Sequence, residues 1–325
     1  MNRIISLTAD ERRKIFLTAA AKLKIPAEMI EKDFWVCRIL DKLFSDPQLS
    51  SCLRFKGGTS LSKVFNLIKR FSEDIDLILD WRCITPEDPL QERSNNKQDL
   101  FNKKIQSQSG EYISTELYEV VSRIMGKECS VSADSQDPNI LLVEYPKSFS
   151  ASYITPHIKL EIGPLASWLP NDKFSITPYI AEAFPELKID RILVPTILAE
   201  RTFWEKVTIL HQEYHRPQES SVPLRYSRHY YDLFMMSQDD FLNNVLQNTE
   251  LLKSVVNFKR KFYPRNWARY DLAIPGSIKL LPAEHSRKAL QKDYKDMKNM
   301  IFGYYPSWEE ICEKLAVVEE KINKL

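Results

Sequence analysis

The feature that most restricts the fold is a short stretch in which a glycine pair and two aspartates bracket a helical pattern. Glycine is scarce, with seven in 325 residues, about a third of the usual rate of roughly 7%, yet Gly57 and Gly58 are adjacent. Leu53-Arg54-Phe55 reads as a short strand that stops at this pair. Thr59 to Lys69 returns to helical spacing, with Leu61, Val64, Phe65 and Ile68 apolar, and Ile75 to Leu79 alternates as a strand after Asp74. Glycines between a strand and a helix let the backbone approach a ligand, and the free N–H groups of a helix start suit phosphate. Thr59 or Ser60 adds a hydroxyl donor. Asp74 and Asp76, two apart on a strand, share one face, while Ile75 and Leu77 point to a core. Two adjacent carboxylates repel unless a cation lies between them. Mg²⁺ fits that place, because it is held by one or two carboxylates plus substrate phosphates. A glycine turn alone, or an Asp-x-Asp alone on a solvated edge, is commonplace; their combination at this spacing points to a metal–phosphate site.

Composition narrows the class. The chain is 43% hydrophobic and 28% charged, which excludes a disordered chain, a collagen and a disulfide miniprotein. With 46 basic and 44 acidic residues the formal charge is +2, so an anionic partner must be met by a local patch, not by bulk charge. Five scattered cysteines without a C-x-x-C suggest reduced thiols in a cytoplasmic protein. No apolar run of about 18 residues is present, so no transmembrane helix is expected.

Thr8 and Glu11 form a helix-capping pattern for a helix to about Leu23, and Pro26 opens a second helix carrying Ile30, Phe34, Cys37 and Leu40. The polar stretch 84–110 reads as an insertion or mobile loop, Glu111 to Met125 as a helix, and Ile140 to Tyr145 and Tyr153 to Ile162 as strands. Prolines 164, 170, 178, 185 and 195 punctuate a region with little helix, and from Thr196 the pattern is helical. The expectation is a two-lobed α+β protein: residues 1–195 hold a small mixed sheet with flanking and N-terminal helices, and 196–325 form a helical lobe that closes over the ligand.

Further candidates lie outside the core motif. In His157-Ile158-Lys159-Leu160-Glu161-Ile162-Gly163, His157, Lys159 and Glu161 share one face. Glu161 is then a candidate third acid, for a second metal or as a base, unless that face is merely solvated. Lys206 lies at the edge of the stripe Phe203, Val207, Leu210 and Tyr214, as a snorkelling lysine paired with Glu200 or Glu205 or as a phosphate-binding one. Arg225, Arg228, His229 and Asp232 fall on one helix face, opposite Tyr226, Tyr230 and Leu233. His211 and His215 have a zinc-like spacing, but Glu does not directly follow the first His and a third ligand is not evident. The run 258–270 interleaves Lys259, Arg260, Lys261, Arg265 and Arg269 with aromatics that include Trp267. That mixture suits an RNA backbone with stacked bases, and equally an ordinary helix with a solvated face.

Lys56-Gly57-Gly58-Thr59-Ser60-Leu61-Ser62-Lys63 with Arg70-Phe71-Ser72-Glu73-Asp74-Ile75-Asp76-Leu77 resembles the nucleotidyltransferase signature, Gly-Gly/Ser followed by Asp-x-Asp. More narrowly it resembles the AbiEii/AbiGii-type toxins of abortive-infection and toxin–antitoxin systems. Glu31-Lys32-Asp33-Phe34-Trp35 is similar to that family's N-terminal helix, Arg228-His229-Tyr230-Tyr231-Asp232-Leu233 to its late helix motif, and residues 293–306 to a C-terminal segment of one branch; 84–150 is the least similar. The resemblance implies a nucleotidyltransferase-like mixed sheet with a C-terminal helical lobe, and Mg²⁺-dependent transfer of a nucleoside monophosphate from an NTP. The implied acceptor is RNA, in characterised relatives the 3′ end of tRNA, and the implied setting is phage defence beside a cognate antitoxin. Carried over residue by residue, Ser60 and Ser72 contact phosphate, Asp74 and Asp76 bind metal, Lys206 is the triphosphate lysine and Asp232 an active-site carboxylate. Lys63 is a further local cation at the nucleotide end. Arg228-His229-Tyr230 stands where many relatives have another Asp, so His229 is not carried over. Transfer to a protein or small-molecule hydroxyl is the competing reading; a binding module without turnover is disfavoured by the intact Asp74, Asp76 and Lys206.

Overall fold

A computed structural model describes residues 1–149 and 157–325. The chain divides into two units, Met1–Val64 with Ser72–Ile197, and Phe65–Phe71 with Leu198–Leu325.

The first unit is a mixed sheet with helices against it. It contains α1 (Asn2–Ile5), α2 (Ala9–Leu23), α3 (Ala27–Ser45), α4 (Pro47–Cys52), β1 (Leu53–Lys56), α5 (Gly57–Lys63), β2 (Ile75–Leu79), α6 (Asn95–Tyr112), α7 (Tyr118–Met125), β3 (Ser130–Ala133), β4 (Ile140–Glu144), β5 (His157–Gly163), β6 (Asn171–Ile176), α8 (Tyr179–Ala183) and β7 (Ile192–Ile197). The seven strands run in the order β3-β4-β5-β2-β1-β7-β6. β2 pairs parallel with β5 and antiparallel with β1, and β1 pairs parallel with β7. The core fills from both sources: Ile75, Leu77, Ile158, Leu160 and Ile162 from the strands, and Phe16, Phe34, Trp35, Leu40 and Leu43 from α2 and α3. The Thr8 cap forms as a full capping box, its hydroxyl oxygen accepting from the Glu11 N–H and the Glu11 carboxylate accepting from the Thr8 N–H.

Several expectations are corrected here. The helix after the glycine pair is seven residues long, Gly57–Lys63, and does not run to Lys69, because Phe65–Phe71 joins the second unit. Asp74 precedes β2, which begins at Ile75. The polar stretch 84–110 carries most of α6, an eighteen-residue helix that buries Gln98, Phe101, Ile105, Ser109 and Gly110. The proline-rich segment holds strands β6 and β7, with Pro195 inside β7. Of the expected strand from Tyr153, residues 153–156 lie outside the described residues and His157–Gly163 is strand.

The second unit is helical: α9 (Ala199–Tyr214), α10 (Ser227–Met236), α11 (Asp239–Leu246), α12 (Thr249–Phe262), α13 (Glu284–Asp296) and α14 (Trp308–Asn323). Phe203, Val207 and Leu210 of α9 are buried, whereas Tyr214, expected in the same stripe, is exposed. The segment Phe65–Phe71 is fastened by backbone: the N–H of Phe71 donates to Met300 O at 2.6 Å and that of Phe302 to Lys69 O at 2.7 Å. Among the described residues no helix is long and apolar enough to cross a membrane.

Candidate active site

In the first unit, β1 and β2 form a hairpin-like pair whose register sets Lys56 opposite Asp76. On the other side of β2, Asp76 is the partner of Glu161 on β5. Register partners on neighbouring strands present their side chains on the same face, so Lys56, Asp76 and Glu161 form one polar row. Gly57 follows immediately, with φ +81°. A Cβ on Gly57 would lie 1.9 Å from Asp76 Oδ2 and 2.5 Å from its Cγ, so the carboxylate of Asp76 rests in space that only glycine leaves open.

Thr59 and Ser60 are buried, and both hydroxyls are turned inward. That of Thr59 donates to the carbonyl of Asp74 and that of Ser60 to Gly57 O at 2.8 Å. Thr59 ties the glycine turn to the aspartate segment and Ser60 closes the turn on itself, instead of presenting donors to solvent. Lys63, expected on phosphate, is ion-paired with buried Asp33 at 2.7 Å, and Asp33 also accepts from the backbone N–H of Tyr179 at 2.6 Å. Ser72 is half-buried.

Beside Asp74 is an ion pair that no sequence pattern assigned. Lys32, fully buried on α3, lies 2.6 Å from Glu73. Burial raises the pKa of Asp74, and the neighbouring Glu73 and Asp76 carboxylates push the same way, against Lys32 and Lys159. A carboxylate crowded by two others is stabilised in its charged form by a bound cation. Among the described residues no three His, Cys, Asp or Glu side chains converge as a ready-made metal cluster. Asp74 and Asp76 are the residues that could hold a divalent ion, together with oxygens of a bound phosphate. Glu161, the register partner of Asp76 on the neighbouring strand, is exposed.

The second unit gathers a different cluster. Arg70 donates to Asp232 through Nε to Oδ1 at 2.6 Å and Nη2 to Oδ2 at 2.8 Å. Lys206 Nζ donates to Oδ2 of the same carboxylate at 2.7 Å and lies 3.5 Å from His229 Nδ1. Burial would raise the Asp232 pKa, but Arg70 and Lys206 outweigh it and hold the carboxyl far below the usual range. Burial, then Lys206 and Arg228, drive His229 well below its ordinary value, so its ring is neutral at pH 7. The partner of Lys206 is thus Asp232, not Glu200 or Glu205. Arg70 heads the Arg-Phe-Ser-Glu-Asp run that carries the family resemblance, but the local pattern assigns it no role of its own.

His211 has both ring nitrogens engaged by backbone, Nε2 with Arg269 O at 3.0 Å and Nδ1 accepting from Lys279 N at 3.1 Å. The basic–aromatic run is divided. Lys259 donates to Glu205 O at 3.3 Å and Arg269 pairs with Asp271 at 2.9 Å. Arg265 and Arg216 stack on Trp267, and Arg260 and Arg265 are exposed while Lys261 is half-buried.

A family model described as nucleotidyl transferase AbiEii toxin, type IV toxin–antitoxin system, matches residues 38–316. No curated protein sequence matches. Among solved structures, the chain is similar to JHP933 from Helicobacter pylori, with 13% identity and a TM-score of 0.46 over 92% of this chain and 94% of that one. It is also similar to MenT4, a nucleotidyltransferase toxin from Mycobacterium tuberculosis, with 19% identity and a TM-score of 0.42 over 98% and 99%.

Proposed function

The chain belongs to the AbiEii family of nucleotidyl transferase toxins of type IV toxin–antitoxin systems, and from that premise we propose that it transfers a nucleoside monophosphate from an NTP to an RNA acceptor, the 3′ end of tRNA, with Mg²⁺. The observation that supports this reading most is the seat of Asp76 against Gly57, with Glu161 as its partner on the neighbouring strand and Asp74 crowded by carboxylates. Asp74 and Asp76 would hold the metal, and Glu161, which does not converge with them as a third ligand, would serve as a base from the neighbouring strand. The ion, when bound, neutralises charge on the phosphates and favours deprotonation of the attacking hydroxyl. The chain's own residues do the rest. Gly57 and Gly58 keep the backbone low so that the triphosphate can approach, Thr59 holds that turn to Asp74, and Ser60 closes it on Gly57. In the second unit Lys206, oriented by Asp232, is a candidate phosphate-binding point charge, and in the first unit Ser72 offers a hydroxyl. Lys63 serves through Asp33 as a brace of the glycine helix.

In this reading the first unit, Met1–Val64 with Ser72–Ile197, is the transferase lobe and the second, Phe65–Phe71 with Leu198–Leu325, the helical lobe, with Lys259, Arg260, Lys261, Arg265, Trp267 and Arg269 as the acceptor-binding stretch. The protein acts in the cytoplasm, is restrained by a cognate antitoxin, and serves phage defence by blocking translation. Incubation of the purified chain with each labelled NTP, Mg²⁺, and either total RNA or total protein tests it. Label in RNA of tRNA size is the expected result. Label only in protein would reassign the acceptor, and label in neither pool would remove the transfer reading.

A further inference from the structure

Lys159 stands out on the polar face of the first unit's sheet. His157, Lys159 and Glu161 alternate along β5 with the buried Ile158, Leu160 and Ile162, so all three lie on the face that carries Asp76, the register partner of Glu161. Asp74 immediately precedes Ile75, whose partner is Leu160, which brings Asp74 onto the sheet at the level of Lys159. The charge of Lys159 is felt there, opposing the rise in the Asp74 pKa, yet the two form no ion pair. The other anion within its influence, Asp134, accepts from the N–H groups of Gln136 and Asp137 in its own turn. Leu142 lies opposite on β4, and burial, then Lys32 and Lys159, keep the ring of His157 neutral at pH 7. Among the described residues Lys159 thus has neither a hydrogen bond nor an ion pair, whereas Lys32 is held by Glu73 and Lys63 by Asp33.

On its own such a lysine works against a metal ion at Asp74 and Asp76, because like charges repel. With a triphosphate bound the balance reverses. A divalent ion leaves part of the phosphate charge unmet, and a flexible ammonium on the same face can meet it. We propose that Lys159 is the phosphate-binding cation of the first unit, meeting the triphosphate of the incoming nucleotide beside Asp74 and Asp76. This rests on the reading of those two aspartates as a metal–phosphate site. It moves to β5 the role expected of Lys63, whose charge Asp33 occupies.

The test is calorimetric titration of inorganic triphosphate, with Mg²⁺ in excess, into the full chain and its variants, with thermal melts alongside. Lys159→Met, which keeps the apolar stem, is expected to weaken binding by roughly ten-fold or more. Lys159→Glu should lose more and Lys159→Arg should stay closest to the native chain, all with native-like melts because the side chain is only half-buried. Lys159→Gln takes the place of Lys159→Met if that variant does not fold. An architectural lysine would not rank by charge: equal losses in the Met, Glu and Arg variants, in step with lowered melting temperatures, would overturn the inference. Native-like binding by Lys159→Met and Lys159→Glu, with binding lost in Asp74→Ala, would overturn the role of Lys159 and leave the metal–phosphate reading standing. Native-like triphosphate binding by Lys159→Met joined to weaker binding of total RNA would give the lysine to the acceptor and overturn the inference as well. No binding by the native chain, or none lost in Asp74→Ala, would overturn the metal–phosphate reading and this inference with it.

Discussion

Gly57 shows how much of the site is decided by single atoms. Its positive φ and the 1.9 Å approach of a built Cβ to Asp76 Oδ2 mean that Gly57→Ala must displace either the turn or the carboxylate. Transfer should drop by about 10²-fold or more, and stability by roughly 1–2 kcal/mol from the left-handed backbone alone, measured by initial rates and by melting. A variant with native rates would show that Asp76 need not sit there. Asp74 gives a pH prediction. Its pKa is raised, first by burial and then by Glu73 and Asp76, so its charge is lost on acidification at a higher pH than for an ordinary aspartate of about 3.9. The acid limb of activity should therefore lie higher than that value and move to lower pH as Mg²⁺ is increased, because ion and proton compete. A limb indifferent to Mg²⁺ would separate Asp74 from the metal. At this scale the glycine pair and both aspartates were legible, because each is a residue type with few substitutes in its role. The inward turn of the Thr59 and Ser60 hydroxyls was not, since sequence carries no information on which acceptor a hydroxyl finds.

Among elements, α3 does more than fill the core. Its consecutive charges Glu31, Lys32 and Asp33 are all buried, and each grips a different part of the chain: Glu31 accepts from Ser148 N at 2.6 Å, Lys32 pairs with Glu73 at 2.6 Å, and Asp33 pairs with Lys63 at 2.7 Å. Lys32→Met would break the buried Lys32–Glu73 ion pair, at a cost of about 3–5 kcal/mol, and Lys32→Met/Glu73→Gln should recover much of it in chemical denaturation. Equal stability of the single variant and the native chain would contradict the buried pair. The helical periodicity of α3 was readable, but three charges in a row within an apolar helix gain meaning only when their partners, 41, 30 and 117 residues away, are known. α6 was missed because Asn, Gln and Ser dominate it and only Phe101 and Ile105 mark its buried side. β7 was missed because Pro195 breaks the pattern of a paired strand.

For the molecule as a whole, the helical unit has its own dependence on acid. Burial lowers the His211 pKa to about 4 from 6.5, with both ring nitrogens bonded to backbone. The folded form then binds a proton less readily than the unfolded one. The contribution of His211 is fully present above the unfolded value and is lost as pH falls through that window, with a slope approaching 1.4 kcal/mol per pH unit. The stability of native chain minus His211→Gln should shrink over that range, and a pH-independent difference would refute it. The two-unit division also explains why the helix after the glycine pair is short: the seven residues from Phe65 to Phe71 leave the first unit and deliver Arg70 to Asp232, a route that local periodicity cannot report. The α+β class and the helical second half were legible from hydrophobic spacing, whereas the passage of 65–71 into the other unit is long-range information.

The most direct test of the central claim follows the phosphate itself. The native chain and Asp74→Ala are each incubated with Mg²⁺, total RNA, and an NTP labelled at either the α- or the γ-phosphate. α-Label is expected to enter RNA with the native chain, γ-label is not, and Asp74→Ala should transfer neither. Equal α-label transfer by Asp74→Ala, or entry of γ-label into RNA, would contradict the claim.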